Sequence, residues 1–304
     1  MTAQAPGEPA RDGPRILITG KNGQLGWALA EAFAPYGEIF SFDRDALNLA
    51  DPDAIRRCCR QIRPSLILNA GAYTAVDRAE REPELAMQIN GVAPRVLSEE
   101  ANRLGAEVIH YSTDYVFAGD ASVPYREEDD TSPQNVYGQT KLVGEQGVCE
   151  VADRFVVLRT SWVYAARGQN FLLTMLRLAR EREELRVVAD QIGSPTWVQT
   201  LADVTRAAAG DDGRLTIADG IYHVSAGGRT SWHGFAEAIF AAIADPGRIA
   251  KRVTPISTKD FPTLAKRPAF SVLSNRKIEL AAKMLVPDWR DQLTRCAASY
   301  ALNG

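Results

Sequence analysis

An apolar run, Arg15–Thr19 (RILIT), passes directly into the glycine-spaced stretch GKNGQLG at residues 20–26, and that stretch opens a helical pattern ending near residue 34. Leu25, Leu29 and Phe33 fall on one face of that pattern, the spacing of a helix that buries one side. Glycines between a buried strand and a helix allow a tight turn. They also let backbone N–H groups approach an anion at the helix N-terminus. Gly20, Asn22, Gly23, Gln24, Leu25 and Gly26 are therefore candidates to hold a pyrophosphate. The spacing is G-x-x-G-x-x-G rather than G-x-G-x-x-G, so the argument rests on the strand before it and the helix after it.

The alternation continues. Residues 39–42, 65–69 (SLILN), 107–112 (EVIHYS) and 155–159 (FVVLR) read as further buried strands. Between them Pro52–Ile62, 84–104 and Val136–Val151 read as helices, with Pro64 and Gly105 as stops. Strands that are apolar almost throughout belong to a parallel sheet covered on both faces. Right-handed crossovers then give an α/β fold, a doubly wound parallel Rossmann sheet. After about residue 165 prolines at 195, 246, 255, 262, 268 and 287 break the rhythm into short segments, with helices near 170–182, 199–209 and 231–244. The organisation read from this is a disordered extension over 1–13, a dinucleotide-binding domain over 14–165 and a smaller C-terminal α/β region over 166–304. Sheet elements have room to return from the later segments.

Composition narrows the function. With 35 Lys and Arg against 38 Asp and Glu, the net charge of −3 gives no basic field for nucleic acid or an anionic membrane. No apolar run reaches the length of a membrane span. Four cysteines without a CxxC pair fit reduced thiols in the cytoplasm, and three histidines make a His-rich metal site improbable.

Four stretches carry chemistry. Asp43 ends the second strand, 17 residues after Gly26, where an acid can accept from adenosine ribose hydroxyls and favour NAD; Arg44, next to it, can hold a 2′-phosphate and favour NADP. Ala70, Gly71 and Ala72 leave the third strand with side chains small enough for a close cofactor approach. Tyr137 and Lys141 lie four apart on a helix, so they share a face. A phenol is a weak acid near neutrality, and a neighbouring ammonium draws its pKa down toward the working range. A hydroxyl at the end of the fourth strand, Ser112 or Thr113, can orient a substrate carbonyl beside it.

Glycine loop, strand-four hydroxyl and Tyr-x-x-x-Lys in this order resemble the extended short-chain dehydrogenases/reductases. The stretches NAGAYTAVDRAE (69–80), HYSTDYVFAG (110–119), NVYGQTKLVGE (135–145), RTSWVYA (159–165), NFLLTMLRLA (170–179), DQIGSPT (190–196), KRP (266–268) and PDW (287–289) resemble the dTDP-4-dehydrorhamnose reductase family within them. The resemblance spans residues 15 to about 295. It implies reduction of the C4 keto group of dTDP-4-dehydro-6-deoxy-L-mannose by NADPH or NADH. It implies Tyr137 as acid, Lys141 as its partner and Thr113 as the hydroxyl on the carbonyl. Gly23, Gln24 and Leu25 would line the cofactor diphosphate, with Asp43, Asn48 and Leu49 near the adenosine. Thr113, Asp114, Trp162, Asn170 and Arg267 would meet the sugar nucleotide, Arg267 gripping its phosphates. Two departures concern the pockets: Asn48 stands where relatives often have Asp, and Tyr73 where some have His. Some relatives pair through a metal, so the resemblance leaves a Mg2+ ion and a homodimer open.

Two other readings stay beside this one. Sugar-nucleotide dehydratases of the superfamily carry Asp-Glu after the strand-four Thr, and here Asp114 is followed by Tyr115. Elimination then lacks its base. A nucleotide-sugar epimerase, or a non-enzymatic regulatory subunit of methionine adenosyltransferase, shares the fold; the latter tolerates loss of the Tyr/Lys pair that is present here.

Overall fold

A computed structural model describes residues 13–303, so the extension expected over 1–13 lies outside it except for Gly13. The chain runs β1 (Arg15–Thr19), α1 (Gln24–Phe33), β2 (Glu38–Phe42), α2 (Pro52–Ile62) and β3 (Leu66–Asn69). Two short helices, α3 (Val76–Ala79) and α4 (Pro83–Met87), lead through a π-helical turn at Gln88–Val92 into α5 (Ala93–Leu104). Then come β4 (Glu107–Thr113), α6 (Val136–Val151) and β5 (Phe155–Thr160). The later chain gives β6 (Val163–Tyr164), α7 (Phe171–Glu181), β7 (Glu184–Val188), β8 (Ile192–Gly193), β9 (Thr196–Trp197) and α8 (Val198–Ala208). It ends with β10 (Gly220–His223), β11 (Thr230–Ser231), α9 (Trp232–Ala242), β12 (Arg252–Ile256), α10 (Arg276–Ala282) and α11 (Trp289–Asn303).

Six strands form one parallel sheet in the order β10-β5-β4-β3-β1-β2. The chain moves outward from β1 to β2, then returns to the other side of β1 for β3. That reversal is the topological switch of a doubly wound sheet, and it opens a crevice above the carboxyl ends of β1 and β3. Alternate strand residues supply both faces. Leu17, Ile67 and Val108 pack with Ile55 of α2 and Leu97 of α5, while Ile16, Ile18, Leu68 and Ile109 pack with Leu29 of α1 and Leu201 of α8. Burial on both sides explains why these strands read as unbroken apolar runs. Phe33 of α1 is fully buried, worth about 2–3 kcal/mol of transfer free energy. A second core, with Tyr164, Leu172, Phe235 and Trp289, joins α7, α9 and α11.

Local signals account for several boundaries. Asp51 caps α2 by accepting from the N–H groups of Asp53 (2.9 Å) and Ala54 (3.1 Å), with Pro52 in the first turn. Gly105 stops α5 with φ +66°. The sheet also draws on the later chain, since β10 pairs with β5 and α8 packs beside α1.

One expectation fails in an informative way. Residues 84–104 are not a single α-helix, because the π turn at Gln88–Val92 widens it. Pro94 has no N–H for the Asn90 carbonyl, and that carbonyl lies against Gly144 of α6, where a Cβ would stand 2.1 Å from it. The wide turn also carries the Asn90 side chain inward. It accepts from Tyr73 N–H (2.8 Å) and donates to the Tyr73 carbonyl and Thr140 Oγ1, both at 3.1 Å. Gly144→Ala should therefore push α6 off this turn and cost about 1–3 kcal/mol, read as a lowered Tm in thermal unfolding. An unchanged Tm would show that the two helices separate without cost.

Candidate active site

At the crevice the backbone of Gly20, at φ +77°, touches that of Gly71: a Cβ on Gly20 would lie 2.9 Å from the Gly71 Cα. A Cβ on Gly26 would lie 2.2 Å from the Gly20 carbonyl oxygen, so α1 starts directly on the loop. Gly23 is its N-cap and offers no side-chain acceptor. The first N–H groups of α1 thus keep no side-chain cap, and the helix dipole adds positive potential there. A cradle of this kind fits the diphosphate of a dinucleotide. Leu49 is buried against Gly71, and Ala70 and Ala72 flank that glycine half-buried. Leu25 is half-buried on α1.

At the far end of the loop Asp43 is already well supplied with donors. It accepts from the N–H groups of Ala46 (3.0 Å) and Asp45 (3.1 Å) and from Asn22 Nδ2 (3.0 Å). The Ala46 N–H foremost holds its carboxyl below the usual range. Arg44 and Lys21 are exposed beside it, and Arg44 makes no ion pair among the described residues. Asn48 is exposed and accepts from Ala50 N–H at 3.0 Å.

Tyr137 and Lys141 sit at the carboxyl end of β4. Lys141 is buried, its Nζ donating to the Tyr111 carbonyl at 2.6 Å and lying 3.3 Å from His110 Nε2. Tyr137 is half-buried, and the Tyr115 ring meets it edge-on with centroids 5.5 Å apart. The expected depression of the phenol pKa is not observed. Burial pushes the phenol up, with the Thr113 hydroxyl partly offsetting it, and burial pulls Lys141 down to about 8. Desolvation disfavours the charged form of both groups, and it exceeds any help the ammonium gives the phenol. Thr113 donates to Asp114 Oδ1 at 2.9 Å, and burial raises the Asp114 carboxyl to about 7.

Beside this lies a cavity of about 450 Å³ lined by Asp77, Tyr115, Phe171, Gln191, Trp232 and Arg267, among others. Arg267 donates to Tyr115 Oη at 3.1 Å and to Asp77 Oδ2 at 2.5 Å. Trp162 stacks on Trp232 with centroids 3.5 Å apart, and its φ of +49° is uncommon for a bulky residue. Asn170, expected at the sugar nucleotide, has its amide paired inside the chain. It caps α7 through Leu173 N–H and donates to Gln24 Oε1 at 2.9 Å, so it touches the cofactor loop. Tyr73 donates to Glu82 at 2.7 Å.

The fold thus brings Tyr137 and Thr113 against Tyr115, which lines the cavity with Arg267, and Asn170 ties the glycine loop to the start of α7 beside it. Sequence reasoning missed Asp77 and Tyr115, although both stand inside quoted stretches; a buried arginine needs an anionic partner, and Asp77 was a candidate. It also missed Thr19, Asn69 and His110, discussed below. Among the described residues no three acidic, His or Cys side chains converge, so nothing there supports the Mg2+ ion that the resemblance left open. Nor is any described helix long and apolar enough to cross a membrane.

Comparison with known proteins places this geometry. The family described as the RmlD substrate binding domain matches residues 14–302. A dTDP-4-dehydrorhamnose reductase of Burkholderia thailandensis is 46% identical over 290 residues, covering 93% of this chain and 97% of the relative. The crystal structure of a dTDP-4-dehydrorhamnose reductase from Clostridium acetobutylicum superposes with a TM-score of 0.88 at 36% identity, covering 94% of this chain and 99% of that one. One from Bacillus anthracis, in complex with NADP, gives 0.87 at 38% identity with the same coverage.

The Asp114 carboxyl yields a stability test. Its pKa is raised in the folded chain, so its cost to stability is absent below the unfolded value near 4 and fully present above about 7. Asp114→Asn should raise stability at pH 8 by on the order of 2–4 kcal/mol and converge with the wild type near pH 4. Melting curves across that range check it, and a gain independent of pH would rule out burial of the charge as its source.

Proposed function

The chain belongs to the dTDP-4-dehydrorhamnose reductase family and is an NAD(P)-dependent oxidoreductase, and from this we propose that it reduces the C4 keto group of dTDP-4-dehydro-6-deoxy-L-mannose to give dTDP-L-rhamnose, with Tyr137 as proton donor. The observation that carries the reading is the position of Tyr137: its half-buried phenol stands at the strand ends, against the Thr113 hydroxyl and edge-on to Tyr115, which lines the neighbouring cavity.

A nicotinamide, when bound, supplies the hydride. The residues do the rest. Residues 20–26 hold the diphosphate through the N–H groups of the loop and of the first turn of α1. Leu49, Ala70, Gly71 and Ala72 shape the middle of the cofactor site. Burial keeps the Tyr137 phenol protonated until oxygen charge develops on the substrate, which suits an acid rather than a base. The Thr113 hydroxyl orients that oxygen. Tyr137 gives up its proton to it and is restored from solvent. Lys141, pinned by the Tyr111 carbonyl and set beside His110 Nε2, would keep one N–H group for the front of the site. The guanidinium of Arg267 takes phosphate oxygens in the cavity, in exchange for Asp77. Trp162 and Asp114 face the sugar. In this reading the cofactor site lies in 14–165 with β10 added, and the sugar nucleotide lies mainly against the later segments.

NADPH is the better fit of the two donors. The Asp43 carboxylate already accepts three hydrogen bonds, so it has little left for ribose hydroxyls. Arg44 is exposed beside it, in place for a 2′-phosphate.

Two variants test this. Tyr137→Phe should lower kcat by about 10²–10⁴-fold in an assay of NADPH oxidation with the 4-keto sugar nucleotide, while NADPH binding is kept. Retained turnover would remove Tyr137 from the proton path. Arg44→Ala should raise KM for NADPH about tenfold and leave NADH unaffected. An equal change with both donors would move the 2′-phosphate elsewhere.

A further inference from the structure

Beneath Lys141 the sheet carries a row of polar side chains where its neighbours are apolar. Thr19, Asn69 and His110 occupy one register level, Thr19 paired with Asn69 and Asn69 with His110 across β1, β3 and β4. All three are buried at 2% exposure or less, as is Lys141 above them. Polar groups so placed cost stability unless each is paired. Here the pairing is continuous. Gly71 N–H donates to Thr19 Oγ1 (2.8 Å), and Thr19 donates to Asn69 Oδ1 (2.8 Å). Asn69 Nδ2 lies 3.0 Å from His110 Nδ1, and His110 Nε2 lies 3.3 Å from Lys141 Nζ. The row thus connects the glycine contact under the cofactor loop to the lysine of the Tyr/Lys pair.

We propose that Thr19, Asn69 and His110 are positioning residues for Lys141, coupling its protonation state to the tautomer of His110 and the orientation of the Asn69 amide. The inference rests on the role given to Lys141 above. Burial, and then the charge of Lys141, hold His110 well below the ordinary histidine range, so its ring is neutral with one N–H and one bare nitrogen. Two arrangements satisfy it. With the Asn69 amide oriented as here, Nδ2 donates to Nδ1, the ring proton sits on Nε2, and Nε2–H finds a partner in Nζ only when Lys141 is an amine with a free lone pair. With the amide turned over, Nδ1–H donates to Asn69 Oδ1, and Nε2 accepts from a Lys141 ammonium. In passing from the first to the second the row takes up one proton from solvent. Nζ receives the Nε2 proton, Nδ1 receives the incoming one, and the ring stays neutral.

The surroundings leave the coupling to this row. Glu145, one turn along α6, acts on Lys141 but is paired with Arg159 of β5 at 2.7 Å. Asp114 and Tyr115 act on Tyr137, a turn earlier. β4 offers Lys141 the neutral His110 ring and the Tyr111 carbonyl, while β3 and β1 add only the uncharged Asn69 and Thr19.

The test needs no turnover. The chain has three histidines, His110, His223 and His233, so nitrogen-15 imidazole spectra of the whole protein resolve into assignable sets. The expected result is that His110 exchanges which nitrogen carries the proton as pH crosses about 8, without becoming imidazolium, and that Lys141→Met abolishes the exchange. A single tautomer throughout the wild-type titration, or an imidazolium, overturns the proposal. Kinetics give a second arm. Asn69→Asp can only accept, so it fixes Nδ1–H and favours the ammonium. The alkaline limb of kcat should move up by about one pH unit with cofactor KM retained, a split that a packing defect would not produce. A limb that stays in place in a folded variant also overturns it. Tautomer exchange in a chain that does not reduce the sugar nucleotide would cost the proposed reaction and keep the row.

Discussion

Backbone contact between Gly20 and Gly71 is the constraint on which the site depends. At the switch point of the sheet the exits of β1 and β3 run within van der Waals distance of each other, with no room for a Cβ on either side. The contact brings the N-terminus of α1 over the crevice. It also aligns Thr19 with Asn69, so that polar atoms at the strand ends reach one another below the loop. A bulkier residue at Gly20 would press on the Gly71 backbone and part the strand exits, while one at Gly71 would press on the Leu49 side chain and on Thr19 Oγ1 of the polar row.

Desolvation then sets the chemistry. Burial raises the Tyr137 phenol and the Asp114 carboxyl and lowers Lys141, so each group tends to its neutral form. In the proposed reaction a phenol that keeps its proton would serve as donor, and a developing negative oxygen in the same dry site would reverse the balance. The ion pairs nearby follow the opposite rule. Arg159 and Glu145 are buried in direct contact, and Arg267 meets Asp77, so these charges persist through pairing. Groups biased toward their neutral forms therefore sit within a frame of compensated charges, which limits how far the surroundings bias them.

How much of this could be read from the chain alone follows from the range of each interaction. Parallel strands buried on both faces appear as unbroken apolar runs, so β1, β3, β4 and β5 were legible, and the glycine spacing placed the loop. The i, i+4 spacing put Tyr137 and Lys141 on one face. The π turn at Gln88–Val92 was legible only in part, because Pro94 stands in the sequence while the contact of Asn90 with a glycine of another helix does not. The polar row was hidden for the same reason: its members are up to 91 positions apart, Thr19 to His110, and only the sheet register brings them level. The direction of the Tyr137 shift was misread because spacing reports proximity along a helix and not the loss of water around it. Trp162 shows the reverse case, a residue singled out by its stretch whose strained backbone only the fold reveals.

The two cores share Trp197, and polar links join other segments of the earlier and later chain. Asn170 at the start of α7 holds Gln24 of the glycine loop. Asp77, in α3, accepts from Ala265 N–H and from Arg267, fixing the 265–267 segment against that helix. Asn135, the cap of α6, donates to the Lys266 carbonyl at 2.9 Å. The helix that carries Tyr137 is thus capped by a residue that also grips the segment carrying Arg267. In the proposed reaction, a diphosphate that drew Arg267 away from Asp77 would act on the same segment that Asn135 holds, and so on the first turn of α6, which carries Tyr137. Placement of the anion and placement of the acid would then be one mechanical event, because the hydrogen bonds that fix the two residues share a short piece of chain.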